Sequence, residues 1–376
     1  MLFALWAFLL IPLWLIITCW RLKRLATRLP APETWPVVSV VVPARDEGQK
    51  IEQALSSLLA IDYPILEIIA IDDRSQDTTG EVMDRLAARD ARLRVIHVTK
   101  LPAGWLGKNH AMHRGAQAAR GEWLLFTDGD VLFAPETLRL AISYAEQHRI
   151  DHLCMNPGLV SGGYWEDALT TCFGMLFFTA FQVWLISTRW TGAYCGVGAF
   201  NLVRAAVYAD VGGFERLRMD VLDDVYLGRI VKRAGYRQQL LVGDDLIRVR
   251  WQGSFRGVIR GLEKNSFASL HYSIRELISS TLLLSILCFT PYAGLFFWQQ
   301  PAAWGLVGSV ALMHATYGYI AARSGNGLRV APALPVMLLT FIYVLWRSAV
   351  ITLRQRGVRW RDTFYPLDEL RRNQLR

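Results

Sequence analysis

From Val37 to Phe126 short β-branched runs alternate with stretches whose apolar residues recur at helical spacing, and this alternation limits the fold more than any other feature. Val37–Val42 is too brief for a helix and is bounded by Pro36 and Pro43, so it reads as a buried strand. A helix is expected over Gln49–Ala60, where Ile51, Leu55, Leu58 and Leu59 share a face. Strands at Leu66–Ile71, Leu93–Val98 and Trp123–Phe126 and helices at Thr79–Arg89 and His110–Ala119 continue the pattern. The expected class is α/β, a Rossmann-like, mostly parallel sheet with helices on both faces. Such sheets bind ligands beyond the carboxyl ends of their strands.

Three of the four strands carry charged or polar residues at that edge. Pro43-Ala44-Arg45-Asp46-Glu47 close the first, Asp72-Asp73-Arg74-Ser75 the second and Asp128-Gly129-Asp130 the fourth. Two hard oxygen donors around a glycine suit a divalent cation, although Asp-Gly alone is also a common turn. No Gly-x-Gly-x-x-Gly or Walker-type loop is present, which argues against a dinucleotide-binding or ATPase version of this architecture.

The apolar residues are unevenly spread. Leu2–Trp20 is an uncharged run long enough to cross a bilayer, and similar stretches recur at about Leu277–Trp298, Ala302–Ala322 and Val330–Leu353. The first run has no Lys or Arg before it, whereas Arg21, Lys23, Arg24 and Arg28 follow, so it reads as a signal anchor with the following domain in the cytoplasm. The expected map is an anchor at 1–20, a basic and Pro-rich linker at 21–36, a catalytic domain at 37–275, membrane helices at 276–353 and a basic tail at 354–376. Three crossings would put that tail outside, against the charge rule, so Val330–Leu353, with Pro332, Pro335 and Arg347, is expected to be re-entrant or interfacial. Ala168–Ser187, uncharged and aromatic, is expected to lie in the interface or line a substrate groove, or else to be a buried core helix, and Glu263-Lys264-Asn265 to face the same substrate. The net charge of +9 suits an anionic leaflet better than nucleic acid. The five cysteines are scattered without a C-x-x-C and read as reduced thiols.

Val40-Val41-Val42-Pro43-Ala44-Arg45-Asp46-Glu47, Asp72-Asp73-Arg74-Ser75 and Thr127-Asp128-Gly129-Asp130 resemble, in order and spacing, the signatures of family 2 glycosyltransferases, which have the GT-A fold. Leu101-Pro102-Ala103-Gly104-Trp105-Leu106-Gly107-Lys108 is similar to the branch holding hopene-associated and carotenoid glycosyltransferases, with ceramide glucosyltransferase more distant. The resemblance implies a divalent metal, Mg2+ or Mn2+, held by Asp130 with Asp128 assisting or holding the ribose. It implies that Asp73 accepts from the nucleotide base and that Pro43, Ala44, Arg45 and Glu47 line the nucleotide pocket. Lys108 would be a cationic partner for the nucleotide or diphosphate.

The family takes its general base from an acidic pair followed by a hydrophobic residue and Leu-Gly. Asp223-Asp224-Val225-Tyr226-Leu227-Gly228 matches, with Asp224 in the position of the base and Asp223 replacing the usual Glu. Gly192–Asn201, with Gly196 and Gly198, resembles the acceptor-side loop. Arg250 and Trp251 retain part of the Gln-x-x-Arg-Trp of processive members, but the Gln is absent, which favours transfer of one sugar over chain elongation.

The chain is therefore expected to be an inverting glycosyltransferase at a bacterial inner membrane. It would move one sugar from a nucleotide-sugar, UDP by resemblance, to a membrane lipid such as a hopanoid or carotenoid. A processive polysaccharide synthase is the alternative within the class. A non-catalytic nucleotide-sugar-binding module is the alternative outside it, and the presence of both Asp130 and Asp224 argues against that. No protein partner is inferable from the sequence.

Overall fold

The computed structural model of the chain describes residue 13 and residues 22–25, 28–48 and 50–375. Apart from Leu13, the expected anchor Leu2–Trp20 lies outside the described residues. The chain divides into two compact units, one of residues 23–160, 181–250 and 372–376, the other of residues 1–22, 161–180 and 251–371. The expected continuous domain at 37–275 is thus interrupted at residues 161–180 and gives way at Trp251. Its uninterrupted composition hides that break.

In chain order the sheet unit runs β1 (Val38–Ala44), α1 (Ile51–Leu59), β2 (Leu66–Asp73), α2 (Thr79–Ala87), β3 (Leu93–Val98), α3 (Gly107–Ala118), β4 (Trp123–Phe126), β5 (Val131–Phe133), α4 (Thr137–His148) and β6 (His152–Leu159). After α5 (Tyr164–Ala180), which belongs to the other unit, come β7 (Asn201–Arg204), α6 (Ala205–Asp210), α7 (Asp223–Arg233) and β8 (Gln238–Val249). The strand order is β3-β2-β1-β4-β7-β6-β8-β5. β3, β2, β1 and β4 are parallel, so their carboxyl ends share one edge. β7 is antiparallel to β4 and pairs Asn201 with Phe126, which brings the segment before β7 to that same edge.

Every residue of β1 and β4 is buried, which is why these strands read as continuous β-branched and apolar runs rather than alternating ones. Each such side chain contributes about 1.5–3 kcal/mol when fully buried. A Cβ at Gly115 would come within 2.4 Å of Val41 and 2.8 Å of Ile71, so α3 approaches the sheet as closely as its glycine allows. The linker expected at 21–36 is partly built into the unit: Lys23 and Leu25 exchange backbone hydrogen bonds with Val242 of β8, and Leu25 enters the core.

The other unit is helical: α5, α8 (Phe255–Ser266), α9 (Ile274–Ala293), α10 (Trp304–Arg323) and α11 (Leu334–Gln355), then a hairpin of β9 (Gly357–Trp360) and β10 (Thr363–Pro366) and α12 (Leu367–Asn373). Two helical segments, Ile274–Phe296 and Leu328–Gln355, are long and apolar enough to cross a membrane. Pro332 lies in a 3-10 turn and Pro335 in the first turn of α11, where a missing N–H costs nothing, so the stretch expected to be re-entrant forms an unbroken helix. The inner face of α5 (Ala168, Leu169, Cys172) belongs to this unit's core, and the helix ends at Ala180 short of the expected Ser187. Glu263, expected near an acceptor, is paired with Arg347 at 2.5 Å.

Candidate active site

The nucleotide side of the candidate site is built by loops that β1 and β2 deliver together. Pro43 and Ala44 are the last residues of β1 and pair with Ile71 and Asp72. Beyond them the two loops are laced by backbone donors. Asp46 N–H reaches Ser75 Oγ at 3.1 Å, Gln76 N–H the Asp46 carboxylate at 2.8 Å, and Glu47 N–H Thr79 Oγ1 at 2.8 Å. Asp46 and Arg74 hold φ of 53° and 60°, a left-handed conformation that costs Arg74 the more because it lacks a short polar side chain. The turn at Arg74 aims its guanidinium at the neighbouring Asp73, which accepts from Nε at 2.8 Å and Nη2 at 3.1 Å. Asp72 is the turn's anchor, accepting Ser75 N–H at 3.1 Å and meeting His97 at 3.0 Å. The hydrogen bonds from Asp72 and Asp84 hold His97 above its ordinary pKa.

At the end of β4 the chain turns under the segment before β7. Asp128 N–H donates to the Gly198 carbonyl at 3.0 Å, and Thr127 Oγ1 to that of Ala199 at 2.8 Å. A Cβ at Gly198 would stand 2.7 Å from Asp128 Oδ2 and 3.3 Å from Asp224 Oδ2. Two carboxylates from different elements therefore converge over one bare Cα. Lys108 closes the group, its Nζ 2.8 Å from Asp128 Oδ1 and 3.2 Å from Asp223 Oδ2. A lysine in the first turn of α3 opposes the helix dipole. Against that and against burial, Asp128, Asp223 and Asp224 hold it protonated. Asp130 Oδ2 meets Lys50 Nζ at 3.2 Å; burial, then Asp128, raises its pKa.

The loop carrying Gly196 lies flat on the first two turns of α7. A Cβ at Gly196 would be 1.7 Å from the Asp224 carbonyl oxygen, and one at Gly228 would be 1.8 Å from that of Cys195. Both positions require glycine for close backbone approach. Of the other expected acceptor residues, Arg250 is the last residue of its segment of the sheet unit and Trp251 the first of its segment of the helical unit, with its ring 5.0 Å from Phe173.

Among the described residues no group of three or more His, Cys, Asp or Glu side chains forms a complete metal cage. Asp128 and Asp130 offer two hard carboxylates on either side of one glycine. That set fits an ion such as Mg2+, which takes one or two protein carboxylates and fills the rest of its shell from substrate phosphates and water.

Known proteins place this geometry. The model of glycosyl transferase family 2 matches residues 39–212, which include β1 to β7 and both carboxylates of Asp128-Gly129-Asp130. These residues form a family 2 glycosyltransferase domain. The glycosyltransferase EpsJ of Bacillus subtilis is 35% identical over 31% of this chain and 32% of its own length. The chain thus spans about a third of that relative. The 4,4'-diaponeurosporenoate glycosyltransferase of Staphylococcus haemolyticus is 25% identical over 70% of each chain. In fold, the chain is similar to the mannosyltransferase PcManGT of Pyrobaculum calidifontis, solved with GDP-Man and Mn2+, at a TM-score of 0.59 and 19% identity, covering 94% of this chain and 96% of that one.

The family match stops before α7, so Asp223 and Asp224 lie outside it. Burial, then the Asp223 carboxylate, pushes Asp224 up to about 6, with Lys108 pulling the other way. Below that value Asp224 holds a proton; above it the carboxylate can accept one. Any transfer that uses it as base is expected to speed up as pH rises through about 6, and a rate flat across that range would show that another group takes the proton. Asp220, just before α7, was not legible as a site residue. It is fully buried and pushed up to about 7 by burial, against the Leu375 N–H and Arg229. Lys50 was missed as well, because nothing local links it to Asp130. Gly228 did carry a signal: a glycine inside a helix costs about 1 kcal/mol against Ala and marks a close approach.

Proposed function

We infer that the chain is an inverting glycosyltransferase that moves one sugar from a nucleotide-sugar, UDP-linked by resemblance, to a hydroxyl of a membrane lipid. The observation that carries this reading is the convergence of Asp128 and Asp224 over Gly198. The loops around Arg45–Glu47 and Asp73 hold the nucleotide, and the Asp73 carboxylate would exchange part of its pairing with Arg74 for the ring N–H of the base. Asp130 and Asp128 would hold a divalent cation, which would supply positive charge to the diphosphate leaving group. The acceptor hydroxyl lies over Gly198, between the Asp128 and Asp224 carboxylates, while Gly196 lets the acceptor loop seat directly on α7. Asp224 takes its proton while the acceptor oxygen bonds to the anomeric carbon and the bond to the diphosphate breaks on the opposite face. Lys108 keeps Asp128 and Asp223 paired, so that Asp224 is the carboxylate left to act.

A lipid acceptor is supported by the two long apolar helices, whose Leu282, Leu283, Ile286 and Leu339 are exposed. A relative named for 4,4'-diaponeurosporenoate supports it too. The catalytic domain would face the cytoplasm at a bacterial inner membrane, where nucleotide-sugars are made. Stereochemistry tests the base directly. Proton NMR of the product made from an α-linked donor is expected to show a β-linkage, and an α-linkage would remove Asp224 from the role of base.

A further inference from the structure

Beneath α7 the sheet carries a closed polar network that the reaction above does not use. His152 and Gln238 are direct partners in the parallel pairing of β6 with β8, and Cys154 faces Asn201 across β6 and β7. His152 and Cys154 are two apart on β6, so all four side chains lie on one face. His152, Cys154, Asn201 and Gln238 are all at most 2% exposed.

Backbone groups at the ends of the network fix its polarity. The Cys195 N–H can only donate, and it reaches Gln238 Oε1 at 3.0 Å. That orients Nε2 toward the Gly228 carbonyl at 3.1 Å and His152 Nδ1 at 2.6 Å, which uses both of its hydrogens. His152 Nδ1 is then an acceptor, and Nε2–H donates to Asn201 Oδ1. Asn201 Nδ2 in turn donates to the Asp224 carbonyl at 3.2 Å. One assignment of hydrogens satisfies every member, and burial keeps the ring in the neutral state that this assignment needs.

The network therefore ends on three backbone groups: the acceptor loop at Cys195 and α7 at Gly228 and Asp224. These are the surfaces that Gly196 and Gly228 bring into direct contact. We propose that Gln238, through His152 and Asn201, is a positioning residue that sets the acceptor loop against the helix bearing the base. The proposal rests on the function inferred above. Gln238 is 2% exposed, so it acts through the backbone groups it holds at Cys195 and Gly228.

The test compares wild type with Gln238→Met and Gln238→Glu in full-length chain in nanodiscs. Tritiated UDP-glucose and GDP-mannose serve as donors and a total bacterial lipid extract as acceptor. Gln238→Met removes every hydrogen bond at similar volume. It is expected to lower kcat by about 10–100-fold and to raise the apparent KM for lipid, while the donor Kd moves less than about twofold. A protonated glutamic acid in place of Gln238 can still accept from Cys195 and donate once. Gln238→Glu is therefore expected to keep a larger fraction of the wild-type rate, compared at the same pH, on the acid side and to lose it as the carboxyl ionises. A donor Kd that rises and a melting temperature that falls in step with the loss of kcat would reduce Gln238 to general support and overturn the proposal. Wild-type rates in Gln238→Met would overturn it as well. A wild-type chain that transfers no sugar removes the inferred function and this proposal with it. Transfer by wild type keeps that function whatever the variants do.

Discussion

Asp224→Asn is expected to lower sugar transfer by about two to four orders of magnitude while leaving donor binding intact. The amide keeps the shape and can still accept the Val225 N–H that now meets Asp224 Oδ1 at 2.8 Å, but it cannot take a proton from an acceptor hydroxyl. The same change should stabilise the protein. The folded carboxyl has its pKa raised from 3.8 to about 6, so ionising it disfavours the native state. That cost is absent below the unfolded value, grows as pH rises and is complete above about 6, where it amounts to at most about 3 kcal/mol. Thermal melts of wild type and Asp224→Asn should therefore coincide near the unfolded carboxylate pKa and separate at neutral pH, the variant melting higher. Lower activity with higher stability is the signature of a group kept for chemistry. A variant that lost both would mark Asp224 as a structural residue.

Gly196→Ala is the second large effect expected. The new methyl would sit 1.7 Å from the Asp224 carbonyl oxygen, a backbone atom that cannot swing aside as a side-chain end can. Either the loop lifts or the start of α7 moves, and both separate the acceptor position from the base. Overpacking of this kind costs about 1–3 kcal/mol of stability. The displacement is expected to lower transfer about 100-fold, since an error of about 1 Å at a reacting pair is enough. Steady-state transfer and a melting curve on the same sample check it. By contrast, Gly174→Ala, inside α5, meets open space and should leave transfer unchanged while raising stability by up to about 1 kcal/mol. An active Gly196→Ala chain would mean that the loop does not hold the acceptor.

These expectations depend on two kinds of structure that were unequally legible in the sequence. The strands of the parallel half and the carboxylates at their ends could be read because both follow from local pattern: a buried strand is a short apolar run, and its ligand edge is where polar residues begin. Small boundary differences mattered chemically. β1 extends to Ala44 and β2 to Asp73, so residues expected in loops are held by the ladder. α3 begins at Gly107 rather than His110, which puts Lys108 in a helical turn where it meets Asp128 and Asp223. The partners of Asp130, Asp220 and Gln238 were not legible, because they come from 80, 155 and 43 residues away. Such pairings are set by topology, and no periodicity records them. Ala168–Ser187 misled for the opposite reason: an unbroken apolar run conceals that its first part is core helix of one unit and its last part belongs to the other.

The most direct measurement is transfer itself, with the full-length chain in nanodiscs, tritiated UDP- and GDP-sugars, manganese or magnesium, and a total bacterial lipid extract. Wild type is expected to place label in the organic phase, dependent on the divalent ion and lost in both Asp130→Ala and Asp224→Asn. Label that stays in the aqueous phase as a glycosylated soluble acceptor would contradict the lipid reading. Organic-phase product that persists in Asp224→Asn would contradict the site.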